Sequence, residues 1–112
     1  MISGIYSAVF ALNNRAIGSG IVLFSRGTVH GGDATYYYKG KYQLSGNNIV
    51  ANVEVANHSG LPNAVFGPLK SFQLPLTGTV NNQQILLTGQ LAIPPASGLS
   101  IMLKKVDEMI DV

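Results

Sequence analysis

The chain has 112 residues, nearly half of them apolar and only 11% charged, with a formal charge of +2 and no cysteine. These figures exclude disulfides, thiolate metal sites and a cysteine nucleophile, and seven scattered Lys and Arg residues make no electrostatic case for direct nucleic-acid binding. One domain spanning residues 1–112 is expected, long enough to bury roughly two thirds of its unfolded surface. So low a charge favours an oligomer or a hollow apolar interior. No apolar run approaches the ~20 residues of a membrane-spanning helix. The start, Met1-Ile2-Ser3-Gly4, lacks the basic and apolar regions of a signal peptide, so a soluble cytoplasmic protein is expected.

Residues Ile5 to Leu12 are apolar on both faces, as in a strand covered on both sides or lining an interface. Ile17 to Phe24 returns through Ser25-Arg26-Gly27, and a short piece, Thr28 to Gly31, follows. His30-Gly31-Gly32-Asp33 reads as a structural turn, with positive φ at the glycines and the Asp side chain capping backbone amides. Next, Tyr36, Tyr38, Gly40, Tyr42 and Leu44 share one face, and Tyr37, Lys39, Lys41 and Gln43 the other. Ser45-Gly46-Asn47-Asn48 turns the chain into a strand with Ile49, Ala51, Val53 and Val55 inward.

A loop begins at Asn57-His58-Ser59-Gly60, with a single helical turn expected near Asn63 to Gly67. Alternation then becomes clear: Phe72, Leu74, Leu76, Gly78 and Val80 inward, a turn at Asn81-Asn82, and Ile85, Leu87, Gly89, Leu91 and Ile93 inward. Pro94-Pro95 stops that strand. Ser97-Gly98 is expected to turn into a last strand with Leu99, Ile101 and Leu103 inward, and the tail from Val106 has mixed character. The total is about eight strands, an all-β chain. Gly40, Gly78 and Gly89 fall mid-strand on the inward parity, where glycine marks a bend or a close backbone approach. Repeated around a sheet, such glycines allow closure into an antiparallel barrel, which also removes edges. A β-sandwich is the alternative.

Candidate chemistry is sparse. His30 and Asp33 are the residues an enzyme would use for acid–base work, but a general base also needs a nucleophile or an oxyanion site, and a metal needs three or more ligands. No catalytic residue, metal ligand or cofactor is therefore expected. Tyr36, Tyr38 and Tyr42, with Phe72, Leu74 and Leu87, are the candidate lining of a cavity, offering ring surface and hydroxyls to orient a ligand.

Four segments then take on meaning together: Gly4-Ile5-Tyr6-Ser7-Ala8-Val9-Phe10, Gly18-Ser19-Gly20-Ile21-Val22, His30-Gly31-Gly32-Asp33 and Tyr38-Lys39-Gly40-Lys41-Tyr42. In order and spacing they resemble the GrlR family, small negative regulators of type III secretion genes in enteric bacterial pathogens. The resemblance covers the first 44 residues; beyond them it rests on strand pattern and length. It implies a lipocalin-like eight-stranded barrel, usually dimeric and without catalytic activity, that represses by sequestering a helix-turn-helix transcription activator. In that family an exposed acidic run follows the fourth strand. The corresponding stretch here, Ser45-Gly46-Asn47-Asn48, carries no acid, and so lacks the charge that would steer it toward a basic DNA-reading surface.

The leading expectation is a non-enzymatic regulator acting by protein contact. Tyr37, Lys39, Lys41, Gly46, Asn47 and Asn48 are the candidate partner-binding residues, and the apolar first strand is the candidate homodimer surface. The alternative is a barrel enclosing a small apolar ligand, a lipid or an aromatic compound.

Overall fold

The computed structural model describes residues 2–61, 70–91 and 97–110. Eight strands follow one another as β1 (Gly4–Leu12), β2 (Arg15–Ser25), β3 (Thr28–Gly32), β4 (Tyr36–Ser45), β5 (Asn48–Asn57), β6 (Ser71–Asn81), β7 (Gln84–Leu91) and β8 (Ser97–Asp107). Each pairs antiparallel with the next, and β8 pairs with β1, so the sheet closes into a barrel. The chain is all-β, and the barrel is the one that both the glycine pattern and the resemblance imply. Among the described residues no helix is long and apolar enough to cross a membrane.

Up-and-down order puts the connections at two ends. Strand β1 rises, so residues 13–14 and 33–35 lie at the upper end, with the upper limits of β5, β6, β7 and β8. The pairs 26–27, 46–47 and 82–83 lie at the lower end, beside the beginning of β1. The two-residue connections use the positive-φ residues that tight antiparallel turns need: Asn13 and Asn14, Arg26 and Gly27, Gly46, and Asn82. The turn before β7 is Asn82-Gln83, one residue later than expected, because Asn81 still pairs with Gln84.

Inward parity follows the sequence pattern. Tyr6 and Ala8 on β1, Ile49, Ala51, Val53 and Val55 on β5, Leu74 and Leu76 on β6, Ile85 and Leu87 on β7, and Leu99, Ile101 and Leu103 on β8 are buried. The lower end is filled by three rings. Tyr6 stands edge-on to Phe24 at 5.1 Å, and Phe24 edge-on to Tyr42 at 5.5 Å. The Tyr42 hydroxyl donates to the Ile2 carbonyl at 2.7 Å and so ties the residues before β1 across the floor.

Two expectations are corrected. Ser97 and Gly98 are not a turn: they are the first residues of β8 and pair with Leu91 and Gln90. Val106 and Asp107 belong to β8, where the Asp107–Ile5 pairing holds them. The helical turn near Asn63 to Gly67 and the inward position of Ile93 lie outside the described residues.

Closure depends on close backbone contact at several glycines. A Cβ on Gly78 would run into the Leu86 carbonyl, and one on Gly40 into the Asn52 carbonyl. By contrast, a Cβ on Gly98 would meet nothing within 4 Å. Gly78→Ala is therefore expected to lose about 3 kcal/mol or more of stability in urea unfolding, whereas Gly98→Ala should stay within about 0.5 kcal/mol of the parent.

Candidate functional site

Above the ring floor the barrel is hollow. A half-open cavity of about 250 Å³ runs from Phe24 and Leu103 up to Phe10, Ile17 and residues 33–36. Its walls are mostly apolar, from Val22, Val53, Leu74, Leu87 and Ile101 among others. It meets solvent beside Gly18 and Ser19, which are exposed. The cause is the length of β3. That strand pairs with β2 only over Ile21 to Ser25, so the earlier part of β2 runs past it and leaves a gap beside the 33–35 loop.

Asp33 shapes this rim. One carboxylate oxygen, Oδ1, accepts hydrogen bonds from the backbone amides of Thr35 at 2.8 Å and Tyr36 at 2.7 Å. The other, Oδ2, accepts a short hydrogen bond from the Tyr38 hydroxyl. The Asp33 amide donates back to the Tyr36 carbonyl at 2.9 Å. His58 braces the loop from outside: its amide donates to the Thr35 carbonyl at 2.9 Å, and its Nε2–H donates to the Asp33 carbonyl at 2.9 Å. The second contact requires the Nε2–H tautomer in the neutral ring. Phe10 stands edge-on to Tyr38 at 5.7 Å.

Small residues let these groups meet. A Cβ on Gly20 would lie 2.8 Å from the Gly32 carbonyl and 3.3 Å from both Asp33 Cβ and the Tyr38 hydroxyl. A Cβ on Gly31 would strike the Ile21 carbonyl.

The candidate residues fall into separate places. Tyr36, Tyr38, Leu74 and Leu87 line the cavity. Tyr42 lies beneath it, in the floor, four strand positions from Tyr38, about 13 Å along β4. Phe72 is half-buried against the core, one inward step before Leu74, and is not part of the cavity wall. His30, Gly31 and Gly32 are strand residues of β3 rather than a turn, and neither glycine takes positive φ. The turn is Asp33 to Thr35, and close backbone packing explains Gly31. The capping role of Asp33 is observed as expected. His30 is exposed on the outer face while Asp33 lines the interior, so the two face opposite sides of the wall. Among the described residues no group of three or more His, Asp or Glu could hold a metal ion.

Tyr37, Lys39 and Lys41 share the outer face of β4; Tyr37 is exposed, and Lys39 Nζ lies 3.8 Å from Glu54 Oε1. Gly46 and Asn47 form a tight turn at the lower end, where the Asn47 carbonyl accepts from the Val80 amide at 2.8 Å, and Asn48 opens β5. Tyr37 and Gly46 stand nine strand positions apart, about 30 Å, so these six residues are not one spot. Sequence reasoning missed Phe10, Val22 and Val29 in the wall, and missed His58 as the brace. The signals that could have found the wall residues were their parity within β1, β2 and β3.

Comparison with family models finds no match along this chain, and comparison with curated proteins finds none.

Burial, and after it the hydrogen bond to Asp33, holds the Tyr38 phenol far above the ordinary tyrosine value. Burial also raises Tyr6 and Tyr36. A folded value raised above the unfolded one stabilises fully below the unfolded value and is lost as pH rises past it. Thermal unfolding should therefore drop in temperature above about pH 10, and Tyr38→Phe should flatten that decline. At neutral pH the same variant should cost about 1.5–3 kcal/mol in urea unfolding, for a hydrogen bond to a carboxylate acceptor.

Proposed function

We propose that this protein is a non-enzymatic regulatory barrel of the GrlR type that acts by binding another protein. The partner class is a helix-turn-helix transcription activator of type III secretion genes. What supports this reading is spatial: the segments that carry the resemblance make one physical unit. Phe10, Gly20, Gly31, Asp33 and Tyr38 meet at the cavity rim. Tyr6 and Tyr42 flank Phe24 in the floor. A cytoplasmic location belongs with this reading, since an activator of transcription works there.

The contact surface is the outer face of β4, where Tyr37 offers a half-exposed ring between Gly32 and Ala56 and Lys41 is exposed. Co-purification from the native host is expected to retain a DNA-binding activator, and Tyr37→Ala with Lys41→Glu to lower its affinity at least about tenfold. Recovery of the intact barrel without any such activator, at native expression and low salt, would overturn the reading.

A homodimer belongs to the same proposal. Val9, Met102 and Leu86 sit side by side on the outer face of β1, β8 and β7, each more than two-fifths exposed, with Ile21 close by on β2. An uncharged apolar stripe across neighbouring strands suits an isologous contact, where like charges would face each other. Equilibrium sedimentation should give a dimer at micromolar concentration, and Met102→Lys should shift it to monomer.

A second reading, a barrel that holds a small apolar molecule, is favoured by the cavity itself. Its roughly 250 Å³ exceeds the roughly 150 Å³ that suffices for benzene.

A further inference from the structure

The chemistry of the cavity rim narrows that second reading, on which the following rests. Among the described residues lining the cavity, Asp33 alone carries a charge. Among the described residues it forms no ion pair, since the two such pairs are Lys39 with Glu54 and Lys105 with Glu108. A carboxylate has about four acceptor positions. Three are taken, two on Oδ1 by the loop amides and one on Oδ2 by Tyr38. Among the described residues Oδ2 keeps one, and Asp33 lines an apolar chamber.

Aromatic rings complete the environment. Phe10, Tyr36 and Tyr38 line the same upper part of the cavity, and ring faces attract cations within about 6 Å of the centroid. A carboxylate without a protein counter-charge, set among aromatic rings above an oily chamber, is suited to an ammonium group with an apolar body. An anionic head would be repelled there. A neutral hydrocarbon would fill the chamber but leave the acceptor unused.

We propose that the cavity binds a small amphipathic amine, with its ammonium on Asp33 Oδ2 among the rim rings and its hydrocarbon body against Val53, Leu87 and Ile101. The volume suits a single ring with a short side chain, between the ~150 Å³ of a benzene site and the ~300 Å³ at which pockets for drug-sized ligands begin.

Titration calorimetry with three probes that share one body tests this: 2-phenylethylamine, ethylbenzene and 3-phenylpropionate. The amine should bind at least about tenfold tighter than ethylbenzene, and the acid should not bind measurably. Asp33→Asn should reduce the amine to the ethylbenzene level while ethylbenzene affinity is kept, which also reports that the variant is folded. Leu87→Trp, which fills the chamber, should abolish binding of both. If Asp33→Asn fails to fold, the amine–acid contrast in the parent protein decides alone. Equal affinity for all three probes would overturn the ammonium assignment and leave the cavity reading standing. No binding by any probe would overturn both, and amine binding that survives Leu87→Trp would place the amine outside the chamber and overturn the proposal.

Discussion

Every other feature of this molecule depends on how closely neighbouring backbones can approach along the inner surface of the sheet. Gly40 lies against the Asn52 carbonyl, Gly78 against Leu86, and Gly31 against Ile21. A side chain at any of these positions would hold the strands apart and open the curve. With hydrogen at these places the sheet coils until β8 reaches β1. Closure then removes the free edges that a chain this poor in charge has few means of protecting.

Closure alone does not decide what the interior contains. The lower third receives large rings from β1, β2 and β4, and the edge-on contacts among Tyr6, Phe24 and Tyr42 fill it. Higher up, aliphatic side chains of Val, Leu and Ile face one another across the axis and fall short of meeting. The barrel is thus a cup: a rigid base below, a chamber above, and a rim set by one carboxylate. The rim is a small network in which each donor has its acceptor, with Asp33 holding Thr35, Tyr36 and Tyr38 from inside and His58 holding the loop from outside. Such connected polar groups are costly to break singly, because each loss leaves another group buried and unpaired.

Strand number, inward parity and closure were all legible in the sequence, because alternation states directly which face a residue occupies. Height along the barrel was not. Tyr38 and Tyr42 share a face and look equivalent in the pattern, yet one lines the chamber and the other forms its floor. Alternation with period two carries no information about which levels of eight tilted strands coincide. The Asp33 cap was readable as local turn chemistry. Its bond to Tyr38 was not, since it exists only where the curled sheet folds residue 38 back over the loop. His58 lies 25 positions from Asp33 along the chain, and the β4–β5 pairing brings it to the rim. The glycines of β3 looked like turn residues. They serve close packing inside a strand, which composition alone does not distinguish from a bend.

The brevity of β3 has a kinetic meaning. It ends at Gly32 while β2 continues to Arg15, so the wall beside Gly18 and Ser19 is interrupted without any ladder hydrogen bond being broken. A molecule crossing that slit would pass beside the 33–35 loop and would need no strand pair of the barrel to part. Passage through such a slit would therefore not have to wait for global unfolding, so a stable shell and exchange of its contents are compatible in this architecture.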